Sequence, residues 1–159
     1  MVGPVFLGDE PDRRRTALAA IRHGAMALRE WHGSRRSVDV FDAKADAEAA
    51  LMVLGVRRGS LQIESGGPDY FHPGRCGRLL QGRSLLAQFG ELHPQVASHF
   101  GLRNALVGFE LFLEDVPLAK SRGPARSYLK MSPFQPVSRD FAFILDDDVP
   151  ASQLLRAVK

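Results

Sequence analysis

The stretch ALVGFELFL, Ala105 to Leu113, constrains this chain more than any other. Its odd positions, Ala105, Val107, Phe109, Leu111 and Leu113, are all apolar, while Glu110 stands on the other side between Leu106 and Phe112. A strand apolar on both sides is covered on both faces, so it belongs inside a sheet that carries at least one packed layer. The layer is legible upstream, in FDAKADAEAALMVLGV. Asp42 reads as an N-cap, Asp46 and Glu48 suit the positive end of a helix dipole, and Gly55 follows as a stop. Ala47, Ala50, Leu51 and Leu54 repeat at helical spacing and form one apolar stripe that must pack on something.

Other segments supply the rest of the sheet. LQIES (Leu61 to Ser65) followed by GGPD reads as strand and turn, and CGRLLQ, GR, SLLAQFG as a hairpin on a tight glycine-containing turn. TALAAIRHG (Thr16 to Gly24) fits a buried strand or a short helix, and the strand is favoured. PQVASHFG reads as a short helix with Pro94 in its first turn and Gly101 closing it. The fold class expected is therefore α+β, an antiparallel sheet with flanking helices.

Beyond that sheet the character changes. LAKSRGPARSYLKMSP, Leu118 to Pro133, holds Lys120, Arg122, Arg126 and Lys130 with no acid, and its proline, glycine and serine mark a linker or loop. RDFAFIL (Arg139 to Leu145) then reads as a strand, DDD as a turn, and PASQLLRAVK as an amphipathic helix starting at Pro150. One strand and one helix do not make a domain, so the second unit is expected to be incomplete.

Composition bounds the setting. At 159 residues the chain suits one domain, or one plus part of another. Its single cysteine, Cys76, cannot form an intramolecular disulfide, and a reducing compartment, the cytoplasm, is expected. AALMVLGV is far shorter than the ~20 residues that span a bilayer, and no membrane partner is expected. A net charge of +3 tolerates a nucleic-acid partner without demanding one.

The chemistry-bearing candidates each have a plainer reading. His72, Cys76 and His93 match no common zinc spacing, and one thiol is poor in ligands. In each His-Pro pair, at His72-Pro73 and His93-Pro94, proline fixes a chain corner and the imidazole serves a nearby backbone group. HPGRCGR exposes backbone N–H groups and arginines as a phosphate loop would, yet it has neither the Walker pattern nor the dinucleotide fingerprint. Cys76 lacks the third group that a cysteine–histidine nucleophile needs. Phe141 and Phe143 alternate on a strand after a basic linker, an arrangement that stacks on bases in RNA-binding sheets and forms core elsewhere.

The blocks VDVFDAKADAEAALMVLG, FHPGRCGRL, FGELHPQVASHFGL, VGFELFLEDV and SPFQPVSRDFAFILDDDVP occur in this order, and VGPVFLGDEP precedes them. Taken together they make the chain resemble the C-terminal part of the beta subunit of bacterial phenylalanyl-tRNA synthetase. The resemblance implies that residues 1–117 are part of a class II synthetase-like, catalytically inactive core domain, that 118–131 are a basic linker, and that 132–159 are the truncated start of a ferredoxin-fold anticodon-binding domain. It makes His72, Pro73, Gly74, Arg75, Gly90, His93 and Pro94 marks of fold and packing around a hairpin. Leu111 then stands where the active subunit of the family carries an arginine beside a glutamate, so no catalytic residue is expected in this piece.

Matched residues in the second unit are Phe134, Pro136, Arg139, Asp140, Phe141 and Phe143. The candidate RNA contacts are Phe134, Arg139 and Phe141 with Lys120, Arg122, Arg126 and Lys130. The resemblance implies a partner alpha subunit in an alpha2-beta2 heterotetramer and tRNA(Phe) as the nucleic acid. ATP and Mg2+ are implied for the holoenzyme, with no cofactor and no metal expected in this piece. A stand-alone RNA-binding module is the alternative, and a metal-dependent hydrolase at His72 and His93 a third.

Overall fold

A computed structural model describes residues 1–6, 8–9, 13–27, 31, 36–102, 104–118 and 128–158. The chain forms two compact units, Met1–Ala119 and Lys120–Lys159. The first carries β1 (Val2–Phe6), β2 (Arg14–His23), α1 (Val40–Val53), β3 (Gln62–Ser65), β4 (Phe71–Gln81), β5 (Ser84–Leu92), α2 (Pro94–His99) and β6 (Leu106–Phe112). Its strands make one six-stranded sheet in the order β1-β2-β6-β5-β4-β3. Every pairing is antiparallel, as the α+β reading expects.

β6 lies inside the sheet between β2 and β5, and α1 covers one of its faces; the second face, expected to be covered as well, carries no helix of the first unit among the described residues. Val107, Phe109 and Leu111 join the core on one face, packed with Ala43, Ala47 and Leu51 of α1 and with Leu79 and Phe89 of the neighbouring strands. β5 adds a second means of filling that core. Leu79 pairs with Ala87 but Leu80 pairs with Leu85, so Leu86 is an extra residue, a β-bulge. The bulge lets two consecutive residues, Leu86 and Ala87, both sit in the core with no exposed surface.

The cap of α1 differs from the sequence expectation. Asp39, not Asp42, is the N-cap: its Oδ1 accepts from the backbone N–H of Phe41 at 2.9 Å and of Asp42 at 3.2 Å. Asp42 is the third helical residue and accepts from the Asp39 N–H at 2.9 Å, closing a capping box. Starting the helix at Val40 shifts the buried stripe to Ala43, Ala47 and Leu51, and leaves Leu54 as a partly exposed C-cap. Gly55 follows at φ 94°, a left-handed position that favours glycine.

The hairpin of β4 and β5 turns where expected, with Gln81 opposite Ser84 and Gly82 at φ 62°. Thr16 to His23, favoured as a strand from its sequence, is strand, paired to β1 on one side and β6 on the other.

Among its described residues the second unit carries one helix, α3 (Ala151–Val158). Val149 N–H donates to the Asp146 carbonyl at 3.1 Å, making the expected turn, and Gln153 N–H donates to Pro150 at 2.8 Å as the helix begins. The strand expected over Arg139 to Leu145 is absent: these residues are exposed and have no strand partner among the described residues. A strand is held by its neighbour's backbone, so alternating Phe141 and Phe143 cannot make one alone.

Candidate functional site

The register assigns side chains to the two faces, because directly paired residues point the same way. α1 packs on β5 and β6 over Ala87, Phe89, Leu111, Phe109 and Val107. On the opposite face Glu64, Arg78, Gln88, Glu110 and Ala19 are paired one to the next, a row of polar side chains crossing from β3 to β6 and ending on β2. No helix of the first unit is in the core on that side among the described residues; what folds onto it is the segment before β4, with Tyr70 and Phe71 in ring contact at 4.8 Å.

Two glycines shape this face. A Cβ on Gly90 would lie 2.7 Å from Cβ of Cys76 and 2.9 Å from the Phe71 ring, so the missing side chain is what lets Phe71 lie down on the sheet. A Cβ on Gly108 would lie 2.7 Å from the Ala20 carbonyl oxygen, and its absence leaves a hollow. That hollow, of about 120 Å³, is walled by Ala19, Ile21, Phe71 and Leu92, with Tyr70 and Glu110 at its rim.

A hydrogen-bonded triangle stands beside it. Tyr70 Oη donates to Glu110 Oε2 at 2.5 Å, and Gln88 Nε2 lies 2.8 Å from the same oxygen and 2.7 Å from Tyr70 Oη. Burial, followed by the Glu110 carboxylate, pushes the Tyr70 hydroxyl well above the usual phenol range, so the tyrosine remains a donor. Gln88 is buried, and its amide nitrogen finds its partners within this triangle, as a polar group inside a sheet layer must. Arg78, next in the row, has its Nε buried with no partner among the described residues.

The covered face is tied to its helix by charge. Arg22 of β2 makes a two-bond ion pair with Asp46 of α1, one of its contacts at 2.7 Å. Arg36 binds Asp42 through its two terminal guanidinium nitrogens at 2.6 and 2.7 Å, and this pairing holds the Asp42 carboxyl down at about 2.

The residues singled out by sequence fall into separate groups. His72 Nδ1 accepts from the Gly74 N–H at 3.1 Å, just before Arg75 makes a two-bond ion pair with Glu91 at 2.6 and 2.9 Å. His93 Nδ1 accepts from the Gln95 N–H at 3.3 Å and caps α2, with Pro94 as its first residue. Among the described residues no three His, Cys, Asp or Glu side chains gather to hold a metal ion. Lys120, Arg122 and Arg126 lie outside the described residues. Lys130, Phe134, Arg139 and Phe141 are all exposed in the second unit, and Phe141 and Phe143 stand 6.4 Å apart, ring to ring.

ATP with magnesium would need cations and carboxylates gathered on one face. Leu111, at the position matched to an arginine, is fully buried on the α1 side and offers a nucleotide no cation. Sequence reasoning missed Tyr70, Arg78 and Gln88. The available signal was a single polar residue inside an apolar run, Gln88 in SLLAQFG and Glu110 in ALVGFELFL, on the parity opposite to the core. Tyr70 has no such signal.

This antiparallel sheet, with one helical layer on one face, shares its fold with a solved tRNA synthetase. It is similar to a pyrrolysyl tRNA synthetase from Desulfitobacterium hafniense, at a TM-score of 0.50 and 17% identity, over 80% of this chain and 45% of that one. The family is more definite: residues 2–113 match the family model described as the phenylalanyl tRNA synthetase beta chain CLM domain, and the chain belongs to that family. The phenylalanine–tRNA ligase beta subunit of Rhodospirillum rubrum is 42% identical over 99% of this chain, and that of Cereibacter sphaeroides 43% identical over 99%. The chain spans about 20% of the length of each of these relatives.

Proposed function

We propose that the protein to which this chain belongs is the beta subunit of phenylalanine–tRNA ligase, and that this segment is scaffold and tRNA contact rather than catalyst. The holoenzyme then attaches phenylalanine to tRNA(Phe) using ATP and Mg2+, in the cytoplasm, as an alpha2-beta2 heterotetramer with the alpha subunit. The observation that carries this reading is the alignment of nearly the whole chain with beta subunits of that ligase. In this reading residues 1–117 form the inactive core domain, 118–131 the linker and 132–159 the start of a ferredoxin-fold anticodon-binding domain.

Two features of the surface support it. α1 leaves Phe41, Met52 and Val53 exposed on its outer side, 71%, 47% and 87% of their surface, which suits a subunit interface. In the second unit, exposed Phe134 and Phe141 stand with Lys130 and Arg139 in the composition that stacks on and neutralises single-stranded RNA.

The test is reconstitution. The full-length protein co-expressed with its alpha subunit should charge tRNA(Phe) with phenylalanine, and neither subunit alone should do so; failure of the pair to charge would end this reading. Phe41→Asp with Val53→Asp should weaken co-purification of the subunits. Lys130→Ala with Arg139→Ala should weaken tRNA binding and flatten its salt dependence while leaving the subunits together.

A further inference from the structure

We propose that residues 66–70 form a strap that lifts off the open face while the sheet stays folded, with the Tyr70 hydroxyl as its fastening, and that the strap governs access to the Cys76 thiol beneath it. This goes beyond the scaffold reading and does not depend on it. Pairing of β3 with β4 ends at Ser65 opposite Gly77, and pairing of β4 with β5 begins at Phe71 opposite Leu92. Between those points the chain belongs to no strand.

Among the described residues, Tyr70 makes every hydrogen-bonded attachment of this segment to the sheet. Its carbonyl accepts from the His93 N–H at 2.8 Å, and its hydroxyl stands in the triangle with Glu110 and Gln88. A further bond lies within the turn itself: Phe71 N–H donates to the Pro68 carbonyl at 2.9 Å, which keeps the piece together as a unit. Gly66, at φ 95°, stands at the β3 end with Gly67 beside it, two residues without side chains where a hinge must change its backbone angles. A segment held by so few bonds opens at a fraction of the cost of unfolding the sheet.

The strap lies over a reactive group. Cys76 is a free, partly buried thiol, paired with Gly90 and so on the same face. A Cβ on Gly67 would lie 3.2 Å from its Sγ, so the strap backbone passes close over the sulfur. A group bonded to that sulfur needs the room that the fastened strap occupies.

The experiment is thiol labelling of the full-length protein in its purified assembly with an aromatic disulfide. The Cys76 thiolate attacks one sulfur, forms a mixed disulfide and releases one aromatic thiolate, read by absorbance. Comparison with Cys76→Ser, which removes the phase belonging to Cys76, sets any other cysteines aside. That phase should be about tenfold or more slower than a free thiol in wild type. Tyr70→Phe should speed it about fivefold, the loss expected for one hydrogen bond. In low urea the wild-type rate should stay nearly flat, because lifting the strap exposes little surface. A wild-type rate equal to that of a free thiol, no acceleration in Tyr70→Phe, or a rise with urea as steep as that of global unfolding would each overturn the proposal.

Discussion

The two faces of the sheet answer the same problem differently. Under α1 the face is dry: Leu51, Leu79, Leu86, Leu111 and Val107 have no exposed surface, and charge is kept to the edges, where Arg22 meets Asp46 and Arg36 meets Asp42. On the other face the same strands carry Glu64, Arg78, Gln88 and Glu110 in a row, with glycines where the first face has Phe89 and Phe109 beside them. The contrast teaches that a central strand need not be uniformly apolar. A polar group is tolerated inside a layer once its hydrogen bonds are made, and here Tyr70 and Gln88 make them for Glu110.

The comparison is sharpened most by emptying the covered face. Leu51→Ala should lower stability by about 2–5 kcal/mol, read by chemical denaturation, since the cavity it leaves is closed on every side. Gly90→Ala tests the open face by filling it. Its Cβ would meet Cys76 and the Phe71 ring inside 3.0 Å, so a loss of about 1–3 kcal/mol is expected, with Phe71 displaced.

Acid should act on the covered side. Asp42 sits at about 2 in the folded chain against its ordinary 3.8, so its stabilisation is full above pH 3.8 and is lost as the pH falls through 2. The amount is about 1–2 kcal/mol, held down because Arg36 is half exposed, and Asp42→Asn should abolish that part of the acid profile. Smallest is Tyr70→Phe, about 1 kcal/mol, because Gln88 continues to serve Glu110. A loss as large as that of Leu51→Ala would mean that the faces are not different in kind.

Much of the covered face was legible. Alternation placed β6 inside the sheet, and helical spacing with Gly55 located α1 to within a turn. The cap was misplaced because both Asp39 and Asp42 have the chemistry of a cap; which one takes the role is decided by the reciprocal bond between them and by Arg36. The open face was mostly illegible. Glu110 was visible as an interruption, but Tyr70, eighteen residues before Gln88 and forty before Glu110, is joined to them only by the way the segment before β4 folds back. The strand expected at Arg139 to Leu145 failed for a related reason: alternation predicts a face, whereas a strand also needs a partner.

By itself the sequence determined the local devices, because they depend on neighbours in the chain: the glycine turn at Gly82, the helix of Val40–Val53, Pro94 opening α2 and the apolar parity of β6. It also carried the family, since the order of short blocks survives where no single block is decisive. Only the tertiary structure decided that the sheet runs β1-β2-β6-β5-β4-β3, that Leu86 bulges into the core, and that Gly90 and Gly108 adjoin on one face. Register is a relation between segments far apart in the chain, and shifting it by one residue would exchange the two faces.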